Sequence, residues 1–447
     1  MADAAEFYVR LKEIAPGLER VEGSARMPKW AAQQDASLVP APPGFANGRM
    51  PEMLRWKGRW VQRDAFKKDG IEGRIGMRWH APFLDGSGYA EASRNHAAAL
   101  HRAGASLTLK AATFETARAD YGSAGEIVRT LLNRGIPYAV NLVYMTPDFF
   151  PQYRETGCYN VGFFYWETDV LPEEWVVACR AMNEIWVPCR WTAEVCAKSG
   201  VDRPIRVFGG CANTAEYGDG ATLTLPGLDP KWFKFYSVFQ WTERKNPRGL
   251  LKAYLTGFKK SEPVVLIVKA YRASYSADEQ NAVREEIKKI KREIGNEENQ
   301  PRIMFVPYMM SKAEMVALHR LGDCFVMPHR SEGWGVPHFD ALLMGKPVIT
   351  TRYGGNMDFT LPEFTYLLDY KLIPVGGMDW IKWYRPHMKW AEPDVDECRY
   401  HMRYVFENRD EAKAKGRAGQ AFVRDVFSWE RVGQAMKSRL SEIWGGM

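Results

Sequence analysis

The chain has 447 residues, 46% of them hydrophobic and 26% charged, with a formal net charge of +7. This is the composition of a globular protein with room for two or three domains. No run of eighteen apolar residues occurs, and the N-terminus carries Asp3, Glu6, Arg10 and Lys12 without an apolar stretch, so neither a membrane span nor a secretory signal is expected. The seven cysteines, odd in number and never spaced C-x-x-C, read as reduced thiols; they favour a cytoplasmic setting and argue against a structural zinc.

Residues 1–72 form an N-terminal extension with little pattern, punctuated by VPAPPG. Between residues 51 and 80, eight Lys/Arg stand against four Asp/Glu, interleaved with Trp56, Trp60 and Trp79. Basic residues among aromatics grip nucleic acid or a polyanionic acceptor. A solvated strand pair whose tryptophans pack on the next domain explains the same residues, and both readings stand.

From Gly73 strands and helices alternate. RIGMRWH is a strand, LDGSGY a Gly-rich turn and AEASRNHAAALHRAG a helix; the strands SLTLKAA, PYAVNLVYM, YNVGFFYWE, EIWVP and PIRVFGG follow, with helices between them. Residues 213–231, rich in Gly, Asp and Pro, read as a linker between a domain at 73–212 and a second at 232–427. The second repeats the rhythm with FKFYSVF, PVVLIVK, RIMFVPY, DCFVMP and PVITT as strands, and a closing helix is expected within 428–447. Apolar strands alternating with amphipathic helices predict an α/β fold of two doubly wound, Rossmann-like domains facing each other across a cleft. Ligands are expected there, at the carboxyl ends of the strands.

The stretch SEGWGVPHFDALLMGKPVITTRYGGN, from Ser331 to Asn356, carries the most chemistry. A strand ends at Pro328, and a helix starts right after Gly333-Trp334-Gly335, so free backbone N–H groups and the positive end of a helix dipole converge where a diphosphate can sit. Glu332 at the loop mouth can accept hydrogen bonds from sugar hydroxyls, Asp340 one turn into the helix can reach a ribose, and Gly354-Gly355-Asn356 add donors. Lys245 and Arg244, after the first strand of the second domain, and Lys269, at the end of the next, are candidate cations for that diphosphate; solvated lysines are the plain alternative. Gly86-Ser87-Gly88-Tyr89 makes a similar strand-to-helix turn in the first domain. Arg330 and His329 precede the loop and are further candidates to face the cleft. Glu167 and Asp169 follow a first-domain strand, where a carboxylate can orient an acceptor hydroxyl; Asp169 equally suits an N-cap of the helix after Pro172.

With these residues in view, the segment resembles the C-terminal signature of glycosyltransferase family 4, retaining nucleotide-sugar enzymes of the GT-B fold. That signature is E-G-x-G-x-P with a second acidic residue, usually Glu, eight positions after the first. Here the second is Asp340, its carboxylate drawn back by about 1.5 Å. WTERKNPRGLLKAY resembles the family's phosphate-binding turn, VLIVKAY the strand with a second basic residue and FSWERVGQAMKSRL the closing helix; the likeness runs from about Gly73 onward. It implies a nucleotide-diphosphate sugar as donor, a glycan, lipid-linked or other hydroxyl acceptor, and no metal or other cofactor, with Lys245, Lys269, Glu332 and Glu167 in catalysis. The donor would be held by Gly86, Gly88, Arg244, Arg330, Gly333, Trp334, Gly335, Asp340, Gly355 and Asn356. Many relatives carry a His where this chain has Tyr144, Thr146 and Asp148. Asp394-Val395-Asp396 spells the D-x-D of metal-dependent transferases, yet its place before a helix is explained by capping. Two rivals remain: transfer to a modified DNA base through region 51–80, and a non-catalytic scaffold of the same fold.

Overall fold

The computed structural model describes residues 76–112, 121–136 and 138–445, together with the backbone of five strands between residues 6 and 62. Those five, β1 (Glu6–Ala15), β2 (Leu18–Met27), β3 (Leu38–Pro40), β4 (Met53–Trp56) and β5 (Arg59–Gln62), make an antiparallel sheet in the order β3-β1-β2-β4-β5. The side chains of Trp56 and Trp60, and all of residues 63–75, lie outside the described residues, and with them most of the proposed nucleic-acid region. Trp79 is described and is fully buried, packed against Phe83 and Tyr144, so it offers no face to a base.

The first α/β domain has six parallel strands, β6 (Gly76–Ala81), β7 (Leu107–Ala111), β8 (Tyr138–Tyr144), β9 (Tyr159–Phe163), β10 (Glu184–Val187) and β11 (Ile205–Val207), ordered β11-β10-β9-β8-β6-β7. The second has β12 (Phe233–Gln240), β13 (Val264–Tyr271), β14 (Arg302–Val306), β15 (Cys324–Met327), β16 (Val348–Thr351) and β17 (Tyr366–Leu368), ordered β14-β13-β12-β15-β16-β17. Val264–Ala270 is buried throughout, as a parallel strand covered on both faces must be. In each sheet the order reverses beside the first strand, and a crevice opens there beyond the strand ends. The turn after β6 holds Gly86–Gly88; the turns after β12 and β15 hold Lys245 and Glu332.

One element departs from simple alternation. After β17 an antiparallel hairpin, β18 (Tyr370–Pro374) and β19 (Lys389–Pro393), interrupts the second domain before the helix Val395–Glu407. Asp394 caps that helix by accepting hydrogen bonds from Asp396 N and Glu397 N, at 2.8 and 3.0 Å. The N-cap expected of Asp169 is overturned. Pro172 holds the cap position without a side-chain bond, and the Asp169 carboxylate instead accepts from Lys389 N at 2.7 Å.

The last helix, Trp429–Gly445, returns to the first domain and packs along the helix Gly88–Arg102. Trp429 Nε1 donates to Asn95 Oδ1 at 2.8 Å, and Arg439 pairs with the fully buried Glu184. Gly433 permits the approach, since a Cβ there would stand 2.3 Å from Ala99 O. Gly433→Val should therefore lower stability by about 1–3 kcal/mol, the usual cost of overpacking. Calorimetric unfolding checks this, and an unchanged transition would mean the helix is not held at that contact.

Candidate active site

The cleft holds a cavity of about 390 Å³ that both domains line. Eleven of the expected residues meet on its wall: Gly86, Gly88, Glu167, Arg244, Lys245, Lys269, Glu332, Gly333, Trp334, Gly335 and Asp340. From the first domain comes the N-terminus of the helix Gly88–Arg102, capped by Ser87, whose Oγ accepts from Ala90 N at 3.2 Å. From the second comes the helix Val336–Leu343, entered through Gly335 at φ +93°, a left-handed backbone that favours glycine. The two starts face each other closely: a Cβ on Gly88 would stand 4.0 Å from Val336 Cγ2, and one on Gly333 3.0 Å from Tyr165 Cβ. Two positive helix ends thus bound one small volume.

A chain of alternating charge runs along one wall. Arg244 Nη1 lies 3.8 Å from Glu167 Oε1 and 3.6 Å from Glu332 Oε2, and the Lys245 ammonium donates to Glu332 Oε1. Burial pushes the Glu332 carboxyl up, but the Lys245 and Arg244 charges outweigh it and hold it at about 2. Burial and Arg244 depress the Lys245 ammonium to about 8 against the pull of Glu332, so at neutral pH the pair stays ionised. A sugar hydroxyl reaching Glu332 would share it with two cations.

On the opposite wall Lys312 donates to Glu91 Oε1 at 2.8 Å and to Tyr217 Oη at 2.6 Å, and Tyr217 donates to Asp340 Oδ1 at 2.6 Å. Asp340 is therefore part of a bridge between the domains as well as of the cavity wall. Burial pushes its carboxyl up to about 6 despite Lys312, which stands 3.8 Å away. Oδ1 is already occupied, which leaves Oδ2 for a ligand.

Lys269 differs from its neighbours. It is 4% exposed, its ammonium donates to Tyr275 Oη at 2.9 Å, and it lies near the stacked rings of Tyr271 and Tyr275. Among the described residues no carboxylate pairs with it, and burial alone depresses it to about 8. A desolvated ammonium facing a cavity between two helix N-termini is a site for an anion.

Three expected donor contacts lie outside the cavity. The Arg330 guanidinium is taken by Glu392 at 2.6 Å and Glu243 at 2.9 Å. Gly355 N donates to Glu332 O at 2.7 Å, and a Cβ there would stand 2.1 Å from Gly333 O, so it packs behind the loop. Asn356 Nδ2 donates to Thr351 O and Thr360 Oγ1, at 3.0 and 3.2 Å. These contacts lie within the second domain and hold the loop's shape, while the Asn356 Oδ1 is buried without a partner among the described residues. His329 is buried against Thr350 Oγ1 at 3.1 Å, and burial with the neighbouring His338 holds it neutral. The Trp334 ring packs on Phe359 and Phe427, away from solvent.

Sequence reasoning passed over Lys312, Tyr217, Tyr271, Tyr275 and Tyr384. Lys312 follows Ser311 in a capping box with Glu314, which masks it as a helix start; Tyr271 closes the VLIVKAY strand, where only the lysine drew notice, and the others sit in no motif. A buried histidine lies behind the cavity wall without lining it. His96, on the helix Gly88–Arg102, sits with Nδ1 3.0 Å from Tyr144 Oη, which lies 2.6 Å from Tyr165 Oη on the cavity wall. Burial lowers His96 to about 4, so it is neutral.

Residues 226–369 match the family described as glycosyl transferases, group 1. The match spans β12 to β17 and contains Lys245, Lys269, Glu332 and Asp340. No curated protein matches the chain in sequence. Among solved structures, HepE of Anabaena, crystallised with UDP and glucose, superposes with a TM-score of 0.58 at 13% identity, covering 83% of this chain and 100% of that one. Sucrose-phosphate synthase from Thermosynechococcus elongatus gives 0.61 at 13% identity, covering 84% and 100%. A glycosyltransferase from Rickettsia africae gives 0.58 at 12%, covering 84% and 100%. At these identities the likeness is one of fold, and the fold is GT-B.

The uncompensated Lys269 has a measurable cost. Its folded pKa of about 8 lies below the ordinary 10.5. Charging it therefore penalises the folded state in full below pH 8, and the penalty fades as pH rises from 8 toward 10.5. Lys269→Met should stabilise the protein at pH 7 by about 1–3 kcal/mol, with little gain at pH 10.5. Urea unfolding at both pH values tests this; a destabilised variant at pH 7 would show that Lys269 is held by partners and awaits no anion.

Proposed function

We propose that the protein transfers a sugar from a nucleotide-diphosphate sugar to an acceptor hydroxyl, with retention at the anomeric carbon and without a metal. The observation that carries this reading is Lys269: a buried ammonium with no carboxylate partner among the described residues, on the wall of a cavity between GT-B domains that two helix N-termini also line. The donor's diphosphate supplies the missing negative charge. The family match over the second domain and the UDP and glucose bound to HepE support the same class of donor.

In this mechanism the acceptor oxygen attacks the anomeric carbon on the face from which the nucleotide leaves. The bond from that carbon to the phosphate oxygen breaks, the new carbon–oxygen bond forms, and the acceptor proton passes to the departing phosphate. Charge grows on that phosphate as the bond lengthens, where Lys269, Lys245 and the backbone N–H groups around Gly88 and Gly335 can stabilise it. Glu332, held ionised by Lys245 and Arg244, receives sugar hydroxyls, and Oδ2 of Asp340 receives a ribose hydroxyl. Glu167, on the first-domain wall, orients the acceptor, which we take to be a glycan, lipid-linked or similar hydroxyl compound. All seven cysteines are free and buried, in keeping with a reducing, cytoplasmic setting. No helix among the described residues is long and apolar enough to cross a membrane.

The test is a thermal-shift screen of UDP-, GDP-, ADP- and TDP-sugars, in which a ligand at a hundred times its Kd adds about 2.7 kcal/mol, followed by turnover of the ligand selected. Turnover should survive excess EDTA and fall about a hundredfold or more in Lys245→Ala with the fold intact. Turnover lost to EDTA and restored by magnesium or manganese would contradict the metal-free mechanism. Near-normal turnover in Lys245→Ala would remove that residue from the site.

A further inference from the structure

The connection of the β18–β19 hairpin leaves its own domain and lies on the other one. Met388 is fully buried in the first domain's core, with Thr168 Oγ1 donating to its Sδ at 3.4 Å. Asp169 N donates to Lys389 O at 3.1 Å while Lys389 N donates to Asp169 Oδ1 at 2.7 Å, a reciprocal pair that fixes the register of one segment on the other. Trp383 packs on Trp175 with ring centroids 5.5 Å apart, and Arg385 Nη2 pairs with Glu174 at 2.8 Å.

Within this seam Tyr384 donates its hydroxyl to Glu167 Oε2 at 3.2 Å, its ring held between Trp166 and Trp390. Glu167 lines the cavity and Tyr384 does not, so the phenol reaches the carboxylate from outside it. Glu167 Oε1 stands 3.8 Å from Arg244 Nη1, so the phenol and the guanidinium take different oxygens. Burial first, and then Glu167, push the Tyr384 phenol well above its ordinary value, which keeps it a donor at any working pH. A glutamate rotates about three side-chain bonds, and one that must receive an acceptor hydroxyl needs those rotations stopped.

We propose that Tyr384 is a positioning residue for the transfer reaction: the hairpin carries it across the domain boundary to hold the Glu167 carboxylate, leaving Oε1 turned toward Arg244 and the acceptor. This rests on the reading of Glu167 as the group that orients the acceptor. The hairpin then completes the acceptor half of the site from the donor-side domain, so the two domains must be docked along this seam for Glu167 to be set.

Release of nucleotide diphosphate from the sugar selected in the screen, with water as acceptor, tests this in four variants: Tyr384→Phe, Glu167→Gln, their double mutant, and Arg385→Ala as a control that removes an exposed ion pair at the rim, leaving the seam docked and Glu167 untouched. Tyr384→Phe should lower kcat roughly tenfold with the donor KM unchanged, as loss of a hydrogen bond to a charged group would. It should have no further effect in the Glu167→Gln background, and Arg385→Ala should match the wild type. A Tyr384→Phe rate equal to wild type, an equal loss in both backgrounds, or a comparable loss in Arg385→Ala would each overturn the proposal. A wild-type rate in Glu167→Gln would overturn the acceptor reading and this proposal together. Failure to turn over any of the four nucleotide sugars would overturn glycosyl transfer itself.

Discussion

Charge taken out of water costs several kcal/mol per ion unless it is paired, and in this molecule much of the pairing is done across the cleft. Glu167 of one domain meets Arg244 of the other, and Glu91 of one meets Lys312 of the other. Each domain alone would leave these groups with fewer partners: Glu91 would keep Arg94, and Arg244 would keep Glu332. The relative position of the two sheets, and hence the shape of the cavity, follows from that requirement together with the returning C-terminal helix and the β18–β19 hairpin. Lys269 is the exception: among the described residues no carboxylate balances its charge, and the proposed function gives that place to a ligand.

Much of this was legible in the sequence because it is written in local spacing. Runs such as VVLIVK and CFVM, bounded by turns and alternating with amphipathic helices, read as buried parallel strands, and GSG and GWG between strand and helix read as helix entries, so the doubly wound fold and the facing helix ends follow. The turn with Lys245 and the turn with Glu332 fall at the points where strand order reverses, which is why eleven residues picked by motif do share one cavity. The helix expected right after Gly335 does begin there, at Val336, because Gly335 supplies the left-handed entry and Pro337 fits the first turn.

What escaped the sequence depends on contacts between distant segments. Arg330 reads as a cleft cation by position, yet its partner Glu392 lies on a hairpin strand that no motif marks. Asn356 and Gly355 look like ligand donors, but they serve the loop that does face the cavity. Asp340 was expected to be free for a ribose, and Tyr217, from the segment read as a linker, occupies one of its oxygens. Likewise Asp169 has the composition of an N-cap and spends its carboxylate on the backbone of Lys389, 220 residues away. For Arg330, Asp340 and Asp169 the partner lay far along the chain, whereas Asn356 bonds to Thr351 and Thr360 close by, in a turn whose geometry no motif marks.

The central claim is that Lys269 awaits the diphosphate of a nucleotide. The most direct measurement is calorimetric titration of the corresponding nucleoside diphosphate near pH 8.5 in buffers of different ionisation enthalpy. With a free-state pKa of about 8, Lys269 is largely neutral at that pH and becomes charged when the anion binds. The account predicts net proton uptake on binding, shared with Lys245, which also lies near 8, and clearly reduced in Lys269→Met, with affinity in the wild type falling as pH rises through 8. Binding without proton uptake, and with the same affinity on both sides of pH 8, would contradict it.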